Sequence, residues 1–85
     1  MVRGRVQGVS FRAFVEWQAE QLGLTGYVRN LPGGDAVEAH AEGDRDRLEQ
    51  WLERVRRGPR QARVDSVEVE WSVYEAKFKD FSIIY

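Results

Sequence analysis

The chain has no cysteine, which removes disulfides, thiolate nucleophiles and cysteine-based metal sites together. No apolar run approaches 18 residues, so no segment is long enough to span a membrane as a helix. The opening MVRGRVQG lacks the apolar block of a secretory signal, and a cytoplasmic location is the expectation. Charge of one sign is not in excess either. The net charge is −1 and 32% of residues are charged. That balance gives no global reason to bind nucleic acid or an anionic membrane. Lysine is scarce: Lys77 and Lys79 are the only two, against 11 arginines. No internal repeat or low-complexity stretch is present.

With 85 residues, one domain over residues 1–85 is expected. That is close to the lower size, roughly 70–80 residues, at which a core holds a fold without staples. Three Trp, four Phe and three Tyr must supply much of that core.

Val2, Gly4 and Val6 alternate with Arg3 and Arg5, the period of a short strand. From Phe11 to Leu22, the residues Phe11, Phe14, Val15, Ala19 and Leu22 follow helical spacing, and Gly23 is a natural stop. LTGYVRN (24–30) reads as a second strand, and LPGGD leads by a hairpin into a third, DAVEAHAEG (35–43). There Val37, Ala39 and Ala41 share one face, and Glu38, His40 and Glu42 the other. Asp44 or Asp46 can cap the next helix, Asp46 having capping-box spacing to Glu49. Leu48, Trp51, Leu52 and Val55 form its apolar stripe; Arg54, Arg56 and Arg57 suit its negative end; Gly58 and Pro59 stop it. ARVDSVEVEWSVYE (62–75) reads as a fourth strand with Val67, Val69, Trp71 and Val73 inward. FSIIY (81–85) is a short last strand able to pair at an edge.

The order β-α-β-β-α-β plus a terminal strand predicts an α+β, ferredoxin-like sandwich. In it an antiparallel sheet of order 4-1-3-2 carries both helices on one face. Strands 1 and 2 then flank strand 3, and their C-terminal ends share one end of the sheet, about 10 Å apart.

The segment GRVQGVSFR (4–12) lies at that end. Glycine permits positive φ and close approach of a ligand. The backbone N–H groups of Gln7, Gly8, Val9, Ser10, Phe11 and Arg12 can curl around an anion at the helix N-terminus. Arg12 adds a planar fork that matches two phosphate oxygens. No GKS or GKT follows, and no acidic residue is placed to hold magnesium, so this is not a nucleotide-type phosphate loop.

Three segments carry a resemblance: VRGRVQGVSFR, GYVRNLPGGDAVEAHAEG and RRGPRQARVDSVEVEW. In this order and spacing they resemble the acylphosphatase family over essentially the whole chain. The resemblance implies hydrolysis of the carboxyl-phosphate bond of a small-molecule acyl phosphate, with no metal, no cofactor and no covalent intermediate. It places the phosphate-binding arginine on Arg12, the water-orienting asparagine on Asn30 and the phosphate-cradling amides on Gln7 to Arg12. A monomer is expected. Two features depart from the family: the lead-in before the loop is short, and Ile84 stands where an arginine is common.

Other residues invite chemistry less well. A nucleophilic Ser10 would need an adjacent base, and the only histidine, His40, falls on strand 3. Glu38, His40 and Glu42 share a face and could be imagined around a metal, but they read as a solvated surface. Trp51 and Trp71 sit at core periods. RNA-recognition domains share the frame, yet they need aromatics on the open face. Here that face offers Glu38, His40, Glu42, Glu68 and Glu70, which would repel RNA. A non-catalytic anion-binding or regulatory acylphosphatase-like domain is the alternative, since such domains open hydrogenase maturation proteins.

Overall fold

The structure is a computed structural model that describes residues 1–8 and 10–85. In chain order the elements are β1 (Val2–Arg5), α1 (Phe11–Gln21), β2 (Thr25–Asn30), β3 (Ala36–Glu42), α2 (Arg45–Arg57), β4 (Arg63–Val67) and β5 (Phe81–Ile84). The fold is the expected ferredoxin-like α+β sandwich, with sheet order β4-β1-β3-β2-β5. The strand order 4-1-3-2 is therefore recovered. β5 adds to the free edge of β2, and it runs parallel, so the sheet is mixed rather than wholly antiparallel.

Helix α1 buries Phe11, Val15 and Ala19, one residue per turn along a single stripe. Its last turn closes through bonds from the Gly23 and Leu24 N–H groups to the Glu20 and Ala19 carbonyls. In α2 the N-cap is Asp44, with extended backbone and no side-chain cap bond. Asp46 lies inside the first turn, so the alternative capping box with Glu49 does not form. Trp51 and Val55 are the buried residues of α2, and its indole Nε1–H donates to the Val15 carbonyl at 3.2 Å. Arg54 braces the two helices by donating to the buried Gln18 side chain at 2.9 Å. Val2, Val6, Val28, Val37 and Phe81 from the sheet side meet Phe11, Val15 and Trp51 in one cluster. Full burial of such side chains stabilises by about 1.5–3 kcal/mol each.

Strand β4 stops at Val67, well short of the expected end at Glu75. β1 pairs with β4 from Arg5↔Arg63 to Val2↔Val67, and Met1 and Glu68 then exchange two backbone bonds of 2.9 Å each. Among the described residues, no strand lies alongside residues 69–74. Val69, Trp71 and Val73, expected inside, are 36%, 45% and 82% exposed. Trp71 instead lies under the Arg45 guanidinium, 4.1 Å from ring centroid to Cζ. At Gly4, where the register of β1 against β4 shifts, any Cβ would land on the Arg63 carbonyl.

Candidate active site

The β1–α1 connection carries two left-handed residues. Gly8 has φ 73°, and Ser10 has φ 60° and ψ 24°. A Cβ on Gly8 would meet nothing within 4 Å, so glycine is needed there for its backbone angle, not for room. Ser10 is the N-cap of α1, and its side chain makes no cap bond. A non-glycine residue in this region costs about 1–2 kcal/mol. Strain of that kind persists only where the surroundings over-determine it. Val9, the expected amide donor between them, lies outside the described residues. The first turn of α1 contains no acidic residue, whereas α2 has Asp44 as its N-cap and Asp46 in its first turn. The α1 N-terminus is thus the one kept clear of competing carboxylates.

Arg12 sits in that first turn, half-buried, and takes part in none of the ion pairs among the described residues. A depression of about 300 Å³ opens here. It is lined by Val6, Gly8, Ser10, Phe11, Arg12, Ala13, Ile83 and Tyr85. A larger concavity of about 390 Å³ lies between β3, α2 and residues 67–74. It holds neither Arg12 nor any part of the loop, so the chemistry points to the smaller one.

Asn30 closes β2 and pairs with Val37 of β3. Its Oδ1 is buried and has no hydrogen-bond partner among the described residues. An unmatched buried acceptor costs about 1–3 kcal/mol and calls for a reason. Asn30 does not line the depression, but its strand end is tied to the loop. The Gln7 carboxamide donates to the carbonyls of Leu31 at 2.9 Å and Ala36 at 2.8 Å. One side chain therefore clamps the β2–β3 hairpin beside Asn30 to the segment that carries Gly8. Sequence reading assigned Gln7 only a backbone amide. Its brace role was not visible, because it depends on two carbonyls 24 and 29 residues away.

The Acylphosphatase family model matches residues 1–83. The chain belongs to the acylphosphatase family. An acylphosphatase of Thermus thermophilus is 51% identical over 83 residues, covering 98% of this chain and 92% of the relative. The crystal structure of acylphosphatase from Bacillus subtilis superposes with a TM-score of 0.93 at 39% identity, covering 99% of this chain and 92% of that one. Full-length HypF, in a phosphate- and nucleotide-bound form, matches with a TM-score of 0.83 at 28% identity. This chain spans only 11% of it. The family is one of hydrolases, and no helix among the described residues is long and apolar enough to cross a membrane.

Away from the loop, this acylphosphatase-family chain corrects the reading of its open face. His40 is not a bare solvated residue. It stacks on Tyr27, with centroids 5.8 Å apart, and Phe78 tilts against both rings. Glu42 is buried at 7% exposure, and its carboxylate accepts the backbone N–H groups of Glu75 at 3.1 Å and Lys77 at 2.9 Å. Burial works to raise the Glu42 pKa, but those amide bonds outweigh it and hold the carboxyl below its ordinary range. Glu38 is lowered chiefly by the 2.6 Å bond from Arg29. Tyr27 is raised, by burial first and then by Glu38. Glu38, His40 and Glu42 are thus spoken for within the fold, and no metal-holding group of acids and histidine occurs among the described residues.

Proposed function

We propose that the chain, acting as one domain over residues 1–85, hydrolyses small acyl phosphates to a carboxylate and inorganic phosphate without a metal ion. One observation carries this reading: Arg12, free of carboxylate partners among the described residues, stands on a helix N-terminus entered through two left-handed residues. Such a turn directs successive amides into one concavity. The amides of Gln7 to Arg12 and the Arg12 fork hold the phosphoryl oxygens. They stabilise the charge that spreads over those oxygens in a loose transition state. The leaving group is a carboxylate, so little proton transfer to it is needed. Positioning then becomes the main task.

Asn30 supplies the second part. Its buried, unpartnered Oδ1 accepts a hydrogen bond from the attacking water and aims it in line. The phosphoryl oxygens themselves take the proton, and no protein base is required. Ser10 acts through its backbone. Neither Ser10 nor the loop has a histidine at hand, because His40 is stacked with Tyr27.

The test is hydrolysis of benzoyl phosphate, followed by ultraviolet absorbance with EDTA present. Wild type should turn over. Arg12→Ala should lose about 100- to 1,000-fold, the effect of removing one preorganised donor. Arg12→Lys should recover only part, since lysine lacks the fork. Asn30→Ala should cut kcat far more than it raises KM. Near-normal kcat in Asn30→Ala would end the water-positioning role. The likeness to a small part of HypF, whose structure is of a phosphate- and nucleotide-bound form, supports a second reading, a domain that binds an anion without turning it over. A folded wild type that binds phosphate but leaves benzoyl phosphate intact would select that reading.

A further inference from the structure

The depression beside Arg12 is charged on one side only. Its other walls are Val6, Phe11, Ala13, Ile83 and the ring of Tyr85. Tyr85 reaches this place by strand parity. Along β5, Phe81 is buried and Ile83 half-buried, while Ser82 and Ile84 face away. By that alternation Tyr85 falls on the side of Phe81 and Ile83, at the rim of the depression. β5 runs parallel to β2 with Ile84 level with Arg29, so Tyr85 arrives at the level of Asn30, at the loop end of the sheet. There its ring lies 4.8 Å from the Arg12 Cζ, a cation–π distance. Yet Tyr85 is 94% exposed. One face of the ring meets the guanidinium, and most of the rest is open to a further group.

We propose that Tyr85 positions Arg12 and selects the acyl group: stacked on the guanidinium, it makes the chain favour acyl phosphates with a flat, apolar acyl moiety over those with a methyl. This rests on the hydrolase reading above. Stacking on the face leaves the N–H edges of Arg12 directed at phosphate. A phosphoryl group held at those edges places its acyl substituent against the adjacent ring. A planar acyl group gains an offset-stacked contact there, and a methyl group does not.

The experiment compares wild type, Tyr85→Phe and Tyr85→Ala on benzoyl phosphate and acetyl phosphate, with inorganic phosphate as competitor. Tyr85→Ala should weaken phosphate inhibition about two- to fivefold, the scale of an exposed cation–π contact. It should raise KM for benzoyl phosphate about tenfold, and for acetyl phosphate only as much as phosphate inhibition weakens. Its kcat should change little. Tyr85→Phe should behave as wild type, because the ring remains. An unchanged benzoyl-to-acetyl preference in Tyr85→Ala overturns the inference, and so does a Tyr85→Phe that falls as far as Tyr85→Ala. In both cases wild-type activity leaves the hydrolase reading standing. If wild type hydrolyses neither compound, that reading fails separately. Calorimetric phosphate titration then decides the Tyr85–Arg12 link alone: weaker binding in Tyr85→Ala upholds it, and equal binding overturns it.

Discussion

Two parts of the sheet face opposite fates. At one end, the loop after β1, the end of β2 and the end of β5 converge around Arg12, Asn30 and Tyr85. At the other edge, residues 69–74 follow β4 and lie beside no strand among the described residues. The first region holds a strained serine and a buried unpartnered acceptor, both destabilising. The second holds exposed valines and a tryptophan in a pattern well suited to a strand. The lesson is that amphipathic alternation does not make a strand; a partner backbone does. Conversely, local strain is tolerated where long-range bonds such as those of Gln7 fix the chain.

If that contrast is right, loosening the Gln7 clamp should have the largest effect on stability. Gln7→Ala leaves the Leu31 carbonyl without its donor, whereas the Ala36 carbonyl keeps the Leu31 N–H at 3.0 Å. The expected cost is about 1–3 kcal/mol in urea unfolding. Turnover should fall as well, because the β2 end carrying Asn30 is released. A variant with full stability and full turnover would show that the clamp is dispensable.

The strain itself can be removed. Ser10→Gly keeps the left-handed backbone without the penalty of a side chain, at some cost in unfolded-chain entropy. A gain of about 0.5–1 kcal/mol is expected, with turnover within about twofold of wild type. A collapse in turnover would instead give the Ser10 hydroxyl a chemical part.

The crossing from β4 to β5 offers a pH probe of the other region. Glu42 receives the amides of Glu75 and Lys77, and its carboxyl is held low. The folded state therefore binds that proton more weakly than the unfolded chain. The stability Glu42 contributes is complete above the unfolded value, about 4.3. It is lost as pH falls through the folded one. Urea midpoints at pH 6 and pH 3 should fall further in wild type than in Glu42→Gln, which cannot titrate there. Parallel falls would mean the amide bonds do not favour the ionised form.

Much of this was legible in the residues. Helical stripes, the β2–β3 alternation and the β-α-β-β-α-β order led to the right frame, because each is a local pattern read against one core. The loop was legible too, through Gly8 and Arg12 at a strand-to-helix turn. What escaped was long-range. The Gln7 clamp, the Tyr85 stack on Arg12 and the burial of Glu42 each depend on elements brought together by the sheet. Glu42 was misread for a specific reason: its alternation with Glu38 and His40 marks the open face. Nothing local says that residues 75–78 cross over that face. The second half of strand 4 was misread in the converse way, its side chains fitting a strand although no strand among the described residues pairs with it.

The smallest expected effect tests that last point. Val73 is 82% exposed, so Val73→Ser removes little buried apolar area and should change stability by no more than about 0.5 kcal/mol. The same change at Val37, fully buried on β3, should cost several times more. Hydrogen exchange supplies the matching backbone readout. Amides of residues 69–74 should exchange close to the unprotected rate, while those of β2 paired with β3 stay protected. A costly Val73→Ser with slow exchange across 69–74 would mean that this stretch is paired in solution, by a strand from a second molecule or by a closed form of the chain. The contrast between the two regions would then reduce to a difference in what lies beside them.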